Sequence, residues 1–282
     1  MPKYQLHVSS LNTLSMCGIR YEKEVHLKQR RPPGVTALVG TAVHRTVDAD
    51  LIAKKDAGVL LPPEQIRDYA ADSLRWAWDR EGVMLVAEEA LAGVKAVQGQ
   101  AIDKSVRLSG LHHLELAPTF SPIHIQRKFT LDLQGYDFQL AGQIDLQEQD
   151  VIRDTKTSSK SPSTEEAERS LQLTTYALAA FKSDGVLPNY GMLDYLVDLK
   201  REQKAVTVSR VFRQRDFDPL LHRLAAAVRA IEAGIFVPAR PTDWWCSEKW
   251  CPHFGDCKYA LRPVSVPVVQ IAPAPVLTGA ET

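Results

Sequence analysis

Ala141–Ser158, AGQIDLQEQDVIRDTKTS, decides how this chain is read. Phe138–Leu146 and Val151–Thr157 are short apolar-rich runs, and the polar cluster Gln147–Asp150 between them marks a tight β-hairpin. A turn centred between Gln149 and Asp150 sets Asp145 opposite Asp154. Side chains alternate along a strand, so Lys156 falls on the face of Asp154. Two carboxylates facing each other across a strand pair repel, an arrangement that sheets normally avoid. A divalent cation between them removes that penalty, and Mg²⁺ is commonly bound by one or two carboxylates with water and phosphate oxygens. A lysine beside such a cation can orient or polarise a water and offset charge on a phosphate. An Asp-x-Lys triplet alone is common on solvated strand edges; the cross-strand register is what gives this one weight.

Two helical segments add polar groups of the same kind. Gly40-Thr41-Ala42-Val43-His44 opens a segment with Val43, Val47 and Leu51 at helical spacing and Gly58 as its C-terminal stop. His44 is then expected one turn into a helix that starts at Gly40, where a neutral imidazole can complete a metal shell. Alone, such a histidine is more often a surface or capping residue. Ser163-Thr164-Glu165-Glu166 carries a capping-box signature and predicts a helix to about Phe181. On it, Gln172 and Tyr176 lie one turn apart and project side by side.

Taken in order, Gly40…His44, Gly142-Gln143-Ile144-Asp145, Asp154-Thr155-Lys156 and Gln172-x-x-x-Tyr176 resemble the four successive motifs of RecB-type nucleases in the PD-(D/E)XK superfamily. The resemblance runs from Ser9 to Cys257. It implies an α/β fold with a central mixed sheet flanked by helices and a helical insertion between the first and second motifs. It implies that His44, Asp145 and Asp154 bind Mg²⁺ or Mn²⁺, with the Thr155 carbonyl as a further ligand. Lys156 would act on water and phosphate, while Gln172 and Tyr176 position the lysine or the DNA.

Four cysteines, Cys17, Cys246, Cys251 and Cys257, narrow the branch. Met1–Arg20 has no apolar core behind a basic start, so no signal peptide is expected and a cytoplasmic setting (host cytoplasm for a viral chain) follows. In a reducing compartment such a cluster points to metal rather than disulfides. Four thiolates suit structural zinc or an iron–sulfur cluster. One distant N-terminal cysteine with three C-terminal ones resembles the iron–sulfur branch of the family, which includes the CRISPR-associated exonucleases and their stand-alone viral relatives, and implies a 4Fe–4S cluster. Ser9-Ser10-Leu11 before Cys17-Gly18-Ile19-Arg20-Tyr21 resembles that branch's serine-capped helix and Cys-Pro-x-Arg-Tyr element. Gly18 stands where proline is usual, and four residues rather than two separate Cys246 from Cys251.

The 282 residues carry 34 basic and 34 acidic side chains, so a DNA partner must be held by local patches rather than by overall charge. The candidates are Arg20, Lys23, Arg30 and Arg31, and a second stretch with Lys204, Arg210, Arg213 and Arg215. A single nuclease domain is expected over 1–261, with a proline-, valine- and alanine-rich mobile tail from Arg262. The function that fits is a metal-dependent DNA exonuclease working at single-stranded ends in recombination, repair or processing, beside recombination or replication proteins. The alternatives are a DNA-binding accessory protein active only within a complex or not at all, and a zinc-clasped adaptor. The adaptor leaves the hairpin carboxylates without a purpose.

Overall fold

The computed structural model describes residues 4–261 and 269–273. Its main sheet is organised around β4 (Phe138–Gln147). One edge of β4 pairs antiparallel with β3 (His124–Asp132). The other edge is shared. β1 (Tyr4–His7) runs parallel to Phe138–Ala141, and β5 (Val151–Ser158) pairs antiparallel with Leu146 and Gln147. β5 then runs parallel to β6 (Tyr190–Asp198), which pairs antiparallel with β7 (Gln203–Val211). The mixed sheet flanked by helices is the expected α/β architecture.

The hairpin register is the one the sequence dictates, since Leu146 pairs with Arg153 and Gln147 with Ile152. The ladder stops there, because β5 turns away to pair with β6 along its full length. Asp145 and Asp154 are therefore the first residues beyond the ladder, in the gap that β1 and β5 leave along the edge of β4. A second lapse coincides with the first: between β3 and β4, Gln126 and Asp145 are the only opposed residues that do not pair. Ile125 and Leu146 pack into one apolar cluster, whereas Phe129 and Ile144 pack into the other. Both strands thus change the phase of their alternation at this point.

Helices cover both faces. α1 (Val8–Met16), the short α2 (Gly18–Tyr21), α8 (Leu171–Asp184) and α9 (Phe217–Glu232) pack with Leu140, Ile144, Ile152 and Leu193. α3 (Val35–Ala57) packs on the opposite face with α4 (Pro63–Glu81), α6 (Val94–Leu111) and β2 (Val83–Leu85). α4, the short α5 (Ala87–Ala92) and α6 form the expected helical insertion.

Several boundaries differ from the sequence reading. α3 begins at Val35 behind Gly34, so His44 lies in the helix interior; the Pro32-Pro33-Gly34 break, not Gly40, sets the start. α1 begins at Val8 with His7 as its N-cap and no side-chain cap, because Ser9 and Ser10 are already inside the helix. The capping-box segment yields only a short α7 (Glu166–Arg169). Ser170 then adopts an extended backbone and caps α8 by accepting from Leu173 N, 3.1 Å away. Within the stretch expected as a tail, β8 (Val269–Ile271) pairs antiparallel with β2. Residues 262–268 and 274–282 lie outside the described residues.

Gly142 on β4 is closely packed by two side chains. A Cβ there would lie 2.8 Å from the Phe129 ring and 2.9 Å from a Val8 methyl. Phe129 meets Tyr176 edge-on with ring centroids 6.1 Å apart. Gly142→Ala should therefore destabilise the fold by about 1–3 kcal/mol through overpacking. Chemical denaturation measures this, and an unchanged midpoint would contradict the packing described.

Candidate active site

The gap beside β4 gathers side chains from four elements. Asp154 on β5 is 1% exposed, and neither of its oxygens accepts a hydrogen bond of good geometry. Its Oδ2 lies 2.6 Å from Lys156 Nζ. Lys156 also donates to Gln172 Oε1 at 2.9 Å, and Gln172 Nε2 donates to the Tyr176 hydroxyl at 2.7 Å. The one-turn spacing on α8 thus forms a relay that ends on the lysine. From α3, His44 Nδ1 reaches to 3.4 Å from Asp145 Oδ2, and the Thr155 backbone carbonyl faces the same ring. The structure therefore brings together His44, Asp145, Asp154, Thr155, Lys156, Gln172 and Tyr176, drawn from positions more than a hundred residues apart.

The electrostatics follow from burial. Loss of water, and then the negative charge of Asp154, push the Asp145 carboxyl well above the usual range. Burial lowers His44, which favours the neutral imidazole that a metal requires. It also raises the Tyr176 phenol, with Asp145 and Asp154 adding to the effect. The oxygen-rich donor set suits a hard divalent cation, and the orphaned Asp154 oxygens are acceptors that such an ion would satisfy. Among the described residues, no three His, Cys, Asp or Glu side chains form a preassembled metal-ligand group.

Two polar residues missed in the sequence stand beside these. Asp48 lies one turn past His44, and helical spacing alone could have flagged it. Burial lifts its carboxyl to about 6. Gln126, which donates to Asp48 Oδ1 at 2.9 Å, carries no signal in the sequence.

The four cysteines line one cavity of about 40 Å³, so the predicted meeting of Cys17 with Cys246, Cys251 and Cys257 occurs. Burial lifts the thiols of Cys246 and Cys251, the latter to about 11. Metal binding at these two sulfurs would release thiol protons. The Ala239 N–H donates to Cys17 Sγ at 3.4 Å, and Trp245 Nε1 donates to the Met16 carbonyl at 3.0 Å. The all-sulfur donor set fits zinc and an iron–sulfur cluster alike. The departure at position 18 has a steric cause. Gly18 N donates to the Val237 carbonyl at 2.7 Å, and a Cβ at position 18 would lie 2.5 Å from the Val237 nitrogen. Proline would lack that donor.

The predicted basic patches are partly consumed by internal pairing. Lys23 and Arg31 both bind Asp256, while Arg20 binds Glu24 and the Trp250 carbonyl. These contacts tie the N-terminal segment to the cysteine segment. Arg30 is exposed. Arg210 is 8% exposed and held by Thr174 and Asp216, which removes it from the second patch.

The model of the PD-(D/E)XK nuclease superfamily matches residues 5–258. The chain belongs to the PD-(D/E)XK nuclease superfamily. No curated protein matches it. A solved structure titled "Crystal structure of SSO0001" is 13% identical, with a TM-score of 0.43 over 93% of this chain and 89% of that one. A likeness that low carries no weight here. No helix among the described residues of this PD-(D/E)XK protein is long and apolar enough to cross a membrane.

The raised carboxyl at Asp145 gives a signed expectation. The folded chain keeps a proton there that the unfolded chain releases at about pH 4, so this group's contribution to stability is lost as pH rises through its folded pKa. His112, fully buried and lowered to about 3, acts in the opposite sense below its unfolded pKa, so the comparison must be differential. In cation-free buffer, Asp145→Asn should melt above wild type by a margin that widens as pH rises. Saturating Mg²⁺ should narrow or reverse that margin. Thermal melts across pH test this, and a margin independent of pH would contradict it.

Proposed function

We propose that the protein is a metal-dependent DNA exonuclease acting at single-stranded ends in recombination, repair or processing. The observation that carries this reading is the buried Asp154 carboxylate, orphaned of hydrogen bonds, with Asp145 and His44 on one side and Lys156 on the other. His44, Asp145, Asp154 and the Thr155 carbonyl would hold Mg²⁺ or Mn²⁺. The bound ion would lower the pKa of a water and stabilise charge developing on the phosphate. Lys156, aimed by Gln172 and Tyr176, orients the attacking water or neutralises the phosphate with its remaining protons. The four-cysteine cavity would hold a 4Fe–4S cluster, with structural zinc as the alternative, and would fasten both ends of the nuclease core.

Preference for single strands has support beside His44. A cleft of about 470 Å³ is lined by Arg45, Tyr69 and Trp76, with both rings partly exposed. The Arg45 guanidinium stacks 3.9 Å from the centroid of the Trp76 ring. Exposed aromatic rings beside cations are the platform on which unpaired bases stack.

Asp154→Ala should abolish cleavage of end-labelled single strands in Mg²⁺ or Mn²⁺ while leaving DNA binding largely intact; turnover at the wild-type rate would sink the assignment. Lys156→Ala should lose most of kcat with little change in cation affinity. Lys156→Arg should rescue only in part, since a planar fork replaces a compact ammonium. Full rescue, or lost cation binding, would place the lysine in another role.

For the clasp, anaerobically purified protein should be brown, and Cys17→Ala should lose both the colour and much of the thermal stability. Colourless protein with stoichiometric zinc would select the alternative. Metal-free protein unaffected by the substitution would refute both.

A further inference from the structure

The cavity that gathers the four cysteines has a fifth donor in its wall: His253 lines it beside Cys17, Cys246, Cys251 and Cys257. The imidazole is 3% exposed, and neither ring nitrogen makes a hydrogen bond. A buried polar group left in that state is destabilising, and a phenylalanine ring would fill the space without that penalty. Nε2 lies 3.6 Å from Glu24 Oε1. That is too far for a hydrogen bond, but the carboxylate favours the tautomer with its proton on that side. Nδ1 is then left with a free lone pair. Glu24 is itself fixed, because Arg20 Nε donates to the same oxygen at 2.8 Å and Arg20 Nη1 to the Trp250 carbonyl at 3.3 Å. A carboxylate behind a histidine whose other nitrogen is free is the arrangement that orients histidines on metals.

The backbone around His253 groups it with two of the cysteines. Phe254 N donates to the Cys251 carbonyl at 3.0 Å and Cys257 N to the Phe254 carbonyl at 3.4 Å, so Cys251, His253 and Cys257 share two consecutive turns. The His253 backbone N–H also donates to the Cys251 sulfur. Cys246 belongs to the preceding turn, which its own N–H closes on the Asp243 carbonyl at 2.8 Å. We infer that His253 is a metal ligand of this cavity, forming a three-cysteine, one-histidine set with Cys17, Cys251 and Cys257, and that Cys246 is a reserve donor. The inference rests on the reading that the cavity holds a metal. It gives the orphaned imidazole a partner, and it accounts for the wide Cys246–Cys251 spacing, since the set is complete without Cys246.

The test is Co²⁺ titration of the full chain, reduced and freed of its own metal, followed by visible absorption and by X-ray absorption at the cobalt edge. The wild-type chain should show three sulfurs at about 2.3 Å and one imidazole nitrogen at about 2.0–2.1 Å, the distances typical of zinc. Cys246→Ala should keep that shell and the wild-type affinity. His253→Ala should exchange the nitrogen for a fourth sulfur and move the cobalt bands to longer wavelength. The double variant should bind at least about a hundredfold more weakly, the upper end of what losing even an outer-shell partner costs. A sulfur-only shell in the wild type, or Co²⁺ binding lost in Cys246→Ala alone, would overturn this inference and leave the metal-holding cavity standing. A wild-type chain that binds no Co²⁺ would overturn both. Should His253→Ala fail to fold, the presence or absence of imidazole scattering in the wild-type and Cys246→Ala shells decides the question.

Discussion

Two carboxylates side by side, Asp154 buried and Asp145 half-buried, are the constraint on which the rest of this molecule turns. Asp145 and Asp154 stand where the β4–β5 ladder ends, and neither Asp154 oxygen nor Asp145 Oδ2 accepts a hydrogen bond of good geometry. Burying such a charge without a partner is expensive, and the protein offsets only part of that expense. Lys156 lies against Asp154, while Asp145 keeps its proton into a range where ordinary carboxyls have lost theirs. A fold that maintains this arrangement is less stable than one with apolar residues there, unless a cation completes it.

The surrounding structure is arranged to keep that gap open and furnished. β1 and β5 divide one edge of β4 between them, and β3 breaks its pairing opposite Asp145. α3 delivers His44 and Asp48 from one face of the sheet. α8 delivers the Gln172–Tyr176 relay to Lys156 from the other. Both ends of the chain are then drawn together: Cys17 meets the C-terminal cysteines, and Lys23 and Arg31 clamp Asp256. The gap is thus braced without filling it.

Much of this was legible in the sequence because it obeys short-range periodicity. The hairpin register came from the turn, the Gln172–Tyr176 pair from helical spacing, and the end of α3 from Gly58, which caps it at φ +77°. What escaped depends on tertiary choice. Nothing in DVIRDTK states that β5 will abandon β4 for β6, because parallel partners are chosen by packing far along the chain. Ser170 overrode the capping box at Ser163–Glu166 because the chain needed an extended residue between α7 and α8. The internal pairing of Lys23, Arg31 and Arg210 was invisible because a charge run does not reveal which acids will fold against it. Gln126, held at φ +52°, was the least readable of all, since glutamine rarely adopts that backbone angle.

The central claim is that a divalent cation completes the Asp145–Asp154 pair. Anomalous scattering from crystals of the full chain soaked in Mn²⁺ tests it most directly. The account predicts a peak with carboxylate oxygens of both residues at about 2.1 Å, typical of a hard divalent ion. A well-diffracting soaked crystal with no peak there, and Lys156 alone occupying the space between the carboxylates, would contradict it.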